Sequence, residues 1–525
     1  MQTKVQTLCR AGAVILAALA LCWTTLINGQ PFFHPDSLGY VRGPDVAIMK
    51  LLGPRFASPW ATLDPGAAVV AREAQASSGA GSSPKAASSH GHGYDDKEVL
   101  GGRSIYYGVL ADLGARTGGF WLTVLVQALA VALLVEIVLR GLAVLDLRAY
   151  AGVMALLSLA SPAAFFVGFV MPDIWAGVAI GALATVFALT GRLGRLDVAA
   201  LAAMTVFGAL AHTSVAPVIG AMMLGGAGLW WGQRRRINPA LGLGVGAAAL
   251  VMAAAGALAF TAMVRHTVGA APVTPPFLTA RVIADGTGTR FAQSGCGGQA
   301  FVVCRYAGRL PMDVDQFLWG ATEHDGVFQT VAAPERRALG EEQTRFALAV
   351  VRAYPLQQAW ASLGNAVRQM GDTDLSDFDY KPSLQASFAS SLPTATLDVM
   401  RGTRAYSQAW PVQGLWVFQT GVMGALVVLM GLVALRTQPA QRGEPADLAA
   451  AASRFLTLVV LGVLANGAIC GALSSINGRY EARVIWCVPL AVLAWTMVRV
   501  RTAHAARLAH RLAPRLAPVT SADPV

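Results

Sequence analysis

The feature that most constrains this chain is a series of apolar runs, each suited to a lipid bilayer. A helix needs about 20 apolar residues to cross the hydrocarbon core. Runs of that kind lie near 11–27, 120–139, 149–169, 173–190, 196–212, 214–231, 240–262, 413–435, 455–473 and 484–499. The stretch 196–231 is too long for one span, and Ala211-His212-Thr213-Ser214 near its middle, with Pro217 following, predicts a tight helical hairpin. Only 13% of the 525 residues are charged, against about 25% in soluble domains, and mean hydropathy is +0.53. The expectation is an all-α polytopic membrane protein with about ten transmembrane helices.

The formal net charge of +11 would raise nucleic-acid binding in a soluble protein. Here its distribution gives another reading. Short cytoplasmic loops hold the positive excess of a membrane protein, and with the N-terminus inside, every short or terminal inner segment is basic: Lys4 and Arg10, Arg140 and Arg148, Arg192 and Arg195, Arg234–Arg236, Arg436, Arg442 and Arg454, then the tail from Arg499 to Arg515. Seventeen of the 40 Lys and Arg, but only six of the 29 Asp and Glu, fall on that side, which accounts for the whole excess. The charge is an orientation mark that suits anionic lipid headgroups. No nucleic-acid partner is expected, and both termini are expected in the cytoplasm of a bacterial inner-membrane protein.

Two long segments then face the periplasm, 28–118 and 265–412. They divide the chain into an N-terminal transmembrane module of seven spans (1–264), a mostly helical periplasmic domain (265–412), and a C-terminal module of three spans with a basic tail (413–525). Within the first loop, residues 74–93 are Ser, Gly and Ala with His90 and His92, a composition that cannot bury a core and reads as a disordered insertion. Residues 335–370 carry apolar side chains at helical spacing interrupted at Pro355, predicting two amphipathic helices packed on the domain or on the membrane surface. Cys296 and Cys304 share the outer segment, eight residues apart, and are either a disulfide or two free thiols. Cys9, Cys22, Cys470 and Cys487 lie in or beside spans.

Ionisable groups beside spans are costly and mark candidate chemistry. Asp173, in Met171-Pro172-Asp173-Ile174-Trp175, follows a helix-breaking proline; its alternative role is an N-cap. A second acid, Asp36, stands just beyond the first span among His34, Ser37, Tyr40 and Arg42, where a cap is again the alternative. Arg479 and Arg483 flank Tyr480 between the last two spans and, four apart, share a helix face that could grip a phosphate. Their alternative is snorkelling, with Arg483 pairing with Glu481 or a headgroup. His212 tops the hairpin. In the ten-span topology all these groups emerge on one outer face.

At these residues the sequence resembles the lipid-dependent GT-C glycosyltransferases, particularly relatives of the protein O-mannosyltransferases and of the aminoarabinose transferases that modify lipid A. The resemblance rests on Pro35-Asp36-Ser37-Leu38-Gly39-Tyr40 after the first helix, on Pro172-Asp173, and on Arg479-Tyr480 with Pro489-Leu490. It covers the membrane region, roughly 1–260 and 413–500. It implies a GT-C-like fold, a catalytic base at Asp36, a supporting role for Asp173, and a polyprenyl-phosphate sugar donor used with inversion. This chain departs from the pattern in its lengthened first loop, in His212-Thr213 where relatives often have Lys, and in Glu481 after the Arg-Tyr. No metal constellation is legible; the related families differ in metal use, so no cofactor is assigned and a divalent metal stays open.

The expected function is therefore inverting transfer of a sugar, hexosyl or pentosyl, from a polyprenyl-phosphate donor to a lipid, glycan or protein acceptor at the periplasmic face. Tyr480, His34, Tyr40, Arg42 and His212 would join the two arginines in holding substrate, with Asp36 and Asp173 catalytic. Two other classes stay open. One is a transporter or flippase of lipid-linked glycan precursors, which would use Asp173 as a proton relay and would need acids deeper in the spans, where only Glu136 stands. The other is a non-catalytic polysaccharide-assembly subunit.

Overall fold

A computed structural model describes residues 2–61, 98–232, 238–320, 322, 324–437 and 444–512. The Ser/Gly insertion at 74–93, with His90 and His92, lies outside them, as do Arg234–Arg236, Arg442 and Arg515. The described residues are helical, with no β-strand among them. In chain order the helices are α1 (Gln2–Leu21), α2 (Trp23–Asn28), α3 (Pro35–Leu52), α4 (Ile105–Arg116), α5 (Trp121–Gly141), α6 (Leu147–Ala160), α7 (Ala163–Val167), α8 (Ile174–Ala188), α9 (Arg195–Ala211), α10 (Val215–Gly232), α11 (Ala240–Val268), α12 (Phe277–Ala284), α13 (Thr287–Gln293), α14 (Val314–Trp319), α15 (Ala333–Ala353), α16 (Pro355–Gly371), α17 (Pro382–Ser391), α18 (Thr394–Arg401), α19 (Val412–Arg436), α20 (Glu444–Leu473), α21 (Arg479–Ile485) and α22 (Cys487–Leu512).

Seven helical segments are long and apolar enough to cross a membrane: Leu8–Asn28, Trp121–Gly141, Val215–Gly232, Ala240–Val268, Val412–Arg436, Glu444–Leu473 and Arg479–Ala505. The other three expected spans are helical but shorter, at α6, α8 and α9. The hairpin turns where its sequence indicated, α9 ending at Ala211 and α10 beginning at Val215. Helix α8 is apolar all round, as a helix enclosed by others must be. Every one of its residues is buried, and α5, α9, α11 and α20 pack around it.

The run 149–169 is not one helix, which corrects the sequence expectation. Helix α6 stops at Ala160, the chain breaks at Ser161-Pro162, and only the short α7 intervenes before Asp173. Proline removes an amide donor and clashes with the preceding turn, and non-helical backbone at membrane depth is tolerated only where protein satisfies its polar groups. Polar side chains from the neighbouring helices do so. Gln127 Nε2 donates to the carbonyls of Val167 and Phe169 at 2.8 and 3.1 Å, Thr24 Oγ1 to Ala164 at 2.8 Å, and Gln419 Nε2 to Ser161 at 3.1 Å. The amide of Phe32 bonds the Gly168 carbonyl at 2.8 Å, and that of Val170 bonds the Phe32 carbonyl at 2.9 Å.

Segment 265–412 divides in two. Residues between Val273 and Val350 enclose an apolar core of their own, and Cys296 and Cys304 are joined there in a disulfide. The stretch from Leu375 to Trp410 instead shares the core of the membrane helices. Phe378 and Trp410 stack edge-on or tilted against Phe32, Phe165 and Trp23, so this strap closes over α2 and α7. At the far end of the bundle, Glu136 is engaged by Arg10 and Arg140, and Arg140 reaches Asp197 at 2.7 Å.

Candidate functional site

Asp173 lies at the centre. It precedes α8 but makes no capping hydrogen bond, so the cap reading does not hold for it. Two guanidinium groups reach its Oδ1 instead, Arg483 Nη1 at 3.3 Å and Arg479 Nε at 3.7 Å. Because α8 has 15 residues, it rises only about 22 Å at 1.5 Å per residue, short of the ~30 Å hydrocarbon core. Its N-terminal acid is thereby held within the bundle. Asp173 is 1% exposed and Arg483 fully enclosed, which rules out snorkelling or a headgroup contact for Arg483.

Both Nη groups of Arg483 are engaged by protein, while its Nε is buried without a hydrogen-bond partner among the described residues. Nη2 donates to Ser214 Oγ at 2.8 Å and to Asn466 Oδ1 at 3.3 Å, and Nη1 lies 3.0 Å from His212 Nε2. A guanidinium only donates, so Nε2 accepts from Arg483, while Nδ1 lies 2.9 Å from Ser214 Oγ and 3.2 Å from the Ser214 amide. His212 is thus a neutral buttress. Glu481, which does not pair with Arg483, accepts from Asn466 Nδ2 at 3.0 Å. The Tyr480 ring lies under both cations, 5.5 Å from Arg479 and 5.1 Å from Arg483.

Arg479 differs from its neighbour. Its charge is balanced by Asp173 and by Asp377, 3.6 Å away, yet its Nε and Nη1 are buried without a hydrogen-bond partner among the described residues, as is Asp173 Oδ2. Buried donors left unpaired are costly and are what an oxyanion would satisfy. Of the two arginines singled out by spacing, Arg479 has more unpartnered donors, Nε and Nη1 against Nε alone in Arg483.

Asp36 stands on the first turn of α3, where the helix N-terminus favours a negative charge. It is not the cap. His34 fills that position, its Nδ1 accepting from the Asp36 amide at 3.2 Å while the His34 amide bonds Ser37 Oγ at 3.0 Å. Ser37 Oγ passes on to the Val170 carbonyl at 2.8 Å, tying α3 to the segment before Asp173. The Asp36 carboxylate pairs with Arg103. Burial opposes its charge, but Arg103, then His34 and Arg479, hold the carboxyl well below the usual range. The His34 imidazole is shifted down, by burial first and by Arg479 second, against the pull of Asp36, Asp377 and Asp173. Asp36, His34, Asp173, Asp377 and Arg479 therefore lie within electrostatic reach of one another.

Two expected members are placed differently. Tyr40 is buried edge-on against Tyr107, with ring centroids 5.3 Å apart, and burial followed by the Asp36 charge pushes its phenol up. Arg42 lines a cavity of about 410 Å³ between α3, residues 98–105 and the end of α11, with Leu38, Phe260 and Met263 on its apolar walls. Arg103 and Tyr40 also line it, so the cavity adjoins Asp36.

Arg103, Asp377 and Asn466 were not singled out from sequence. Asn466 had a signal, a strong hydrogen-bonding side chain within an apolar span. Arg103 and Asp377 had none, since Arg103 reaches the site from a loop and Asp377 from a single 3-10 turn at Ser376–Phe378. Gly39 makes room for Arg103, because a β-carbon there would meet Arg103 Cδ at 2.6 Å. Among the described residues no three of His, Cys, Asp and Glu are arranged to hold a metal ion. No known protein family, no characterised protein and no solved structure matches the chain.

Proposed function

We propose that the chain is an inverting glycosyltransferase of a bacterial inner membrane, with ten spans in a GT-C-like arrangement and its site on the periplasmic side, using a polyprenyl-phosphate sugar donor. The observation that carries this reading is the pairing of two functions in one site. Arg479 has buried, unpartnered N–H groups suited to a phosphate, and the accessible carboxylate Asp36 lies within its electrostatic reach.

In this mechanism the acceptor hydroxyl displaces Arg103 from Asp36. The carboxylate takes the hydroxyl proton as the oxygen bonds the anomeric carbon, and the bond from that carbon to the phosphate oxygen breaks with inversion. The electron pair leaves on the phosphate, whose charge Arg479 stabilises. Asp173 and Arg483 act indirectly by fixing Arg479 and Tyr480. The apolar cavity beside Asp36 suits a lipid, glycan or protein acceptor that approaches along the membrane. A proton-relay transporter is less well supported, because Glu136 is engaged by Arg10 and Arg140 at the far end.

The test compares membranes carrying wild-type chain and Asp36→Asn for release of sugar from a radiolabelled polyprenyl-phosphate donor. Loss of a positioned base predicts a fall of roughly 10²–10⁴-fold. Unchanged turnover in a folded variant would falsify the base assignment.

A further inference from the structure

Helix α16 (Pro355–Gly371) is built inside-out for a helix on the surface of a water-exposed domain. Three of its polar side chains, Gln358, Asn365 and Gln369, are buried on one face. Gln358 Nε2 and Asn365 Nδ2 each donate to an Asp285 carboxylate oxygen at 2.7 Å. Gln369 Nε2 donates to the Asn477 carbonyl at 2.8 Å, and its Oε1 accepts from the Asn477 amide at 2.9 Å. The opposite face is apolar and uncovered. Leu356 is 82% exposed and Trp360 76%, with Leu363 and Val367 more than half exposed. Spacings of 4, 3 and 4 place the four in one stripe about 60° wide at 100° per residue.

The helix lies along α20, and its direction is fixed by two close approaches. Gly471 of α20 meets Asn365 and Ala366, whereas Gly467, one turn farther from the site end, meets Met370. The two helices therefore run antiparallel, and the C-terminal turns of α16 descend beside a membrane span. Farther from the site end, on the face of α20 that carries Gly467 and Gly471, Val460 and Leu464 are uncovered, so apolar surface continues beyond the end of α16. Trp360 stands about two turns before Val367 on this stripe, and tryptophan is enriched at membrane–water interfaces.

We propose that the Leu356–Trp360–Leu363–Val367 face of α16 is immersed in the bilayer leaflet at the site end, its C-terminal half among the acyl chains. The helix is then a half-membrane anchor that crosses nothing. It bears on the site through Gln369, because Asn477, held by Gln369 on both backbone groups, receives the Arg479 amide on its Oδ1 at 2.9 Å. The depth of α16 in the leaflet thereby sets the height of Arg479 relative to the headgroups. This reading requires only that α20 spans the membrane and is independent of sugar transfer.

Nitroxide labels at Trp360→Cys, Leu363→Cys and Val367→Cys, introduced in a chain whose exposed thiol Cys9 is replaced by serine, test it after reconstitution into phosphatidylethanolamine–phosphatidylglycerol vesicles. Asp313→Cys, on the exposed edge of the outer domain, is the aqueous control. The expected result is faster relaxation by oxygen than by a water-soluble nickel chelate at all three positions, with the ratio rising from 360 through 363 to 367. A nickel preference at 363 and 367 like that of the control would overturn the proposal. Shielding from both reagents would also overturn it, by showing that protein covers the stripe.

Discussion

Asp173→Asn is the most informative single change, because it removes one negative charge from between two buried cations. At an effective dielectric near 20, separations of 3.3 and 3.7 Å correspond to attractions of about 5 and about 4.5 kcal/mol. Most of this is offset by the desolvation of both partners, and breaking a buried pair from one side costs about 3–5 kcal/mol net. The two arginines do not suffer equally. Arg479 retains Asp377 at 3.6 Å, whereas the other partners of Arg483 are the neutral groups Ser214, Asn466 and His212. The destabilisation is therefore mainly an uncompensated charge on Arg483, and Arg483→Met in the same chain should relieve it.

Unfolding by sodium dodecyl sulfate in mixed micelles, followed by circular dichroism, would give the four corners of the cycle. Asp173→Asn is expected to lose about 3–5 kcal/mol, and the double variant to be more stable than the sum of the singles by about 2 kcal/mol, within the range of contacting residues. Additivity within about 0.5 kcal/mol would refute the argument, since it would mean that the two charges are not each other's solvation.

Three further outcomes follow from the same geometry. In Gly39→Ala the new methyl group displaces Arg103 from Asp36; because Arg103 depresses the carboxyl, its charged form then disappears at higher pH, and the acid limb of transfer activity should move up by roughly 1–3 pH units. An unmoved limb would separate Arg103 from the behaviour of Asp36. Gln127→Leu strips the donor from the carbonyls of Val167 and Phe169, and the same detergent titration should register a loss of about 2–6 kcal/mol at roughly 1–3 for each unsatisfied group; full stability would show that the break before Asp173 is held elsewhere. Replacing both Cys296 and Cys304 with serine opens a bridge across a sequence separation of eight, expected to cost the outer domain about 2.5 kcal/mol by loop entropy, read as increased proteolysis between 273 and 350.

Much of the membrane region was legible because its signals are local. Apolar run length located the seven helices long enough to cross a membrane and the shorter α6, α8 and α9, and the polar residues from His212 to Ser214 located the hairpin tip, because each follows from a few neighbouring residues. The site was legible in part for a related reason: a charge at the end of an apolar run must be paid for by a partner, and Asp173, Arg479 and Arg483 turned out to be one another's partners. The division of 265–412 was not legible. Phe378, Tyr380 and Trp410 announce burial, but nothing in their spacing tells whether they bury against their own domain or against Phe32 and Phe165.

The interrupted run 149–169 is where hydropathy alone misleads, and it governs the site. Composition there is indistinguishable from a span, so only Pro162 and Pro172 hint at the break. The corresponding signal lies elsewhere in the sequence, as Thr24, Gln127 and Gln419 on three other apolar helices, each of which would be costly in hydrocarbon without a partner. Each finds one on the broken segment. Ending the helix early leaves α8 too short to cross alone, and its leading acid is buried within the bundle where Arg479 and Arg483 enclose it. Had residues 149–169 formed a continuous helix, Asp173 would stand at the rim in water, its pull on the arginines screened, and Arg479 would keep no buried donors for a ligand.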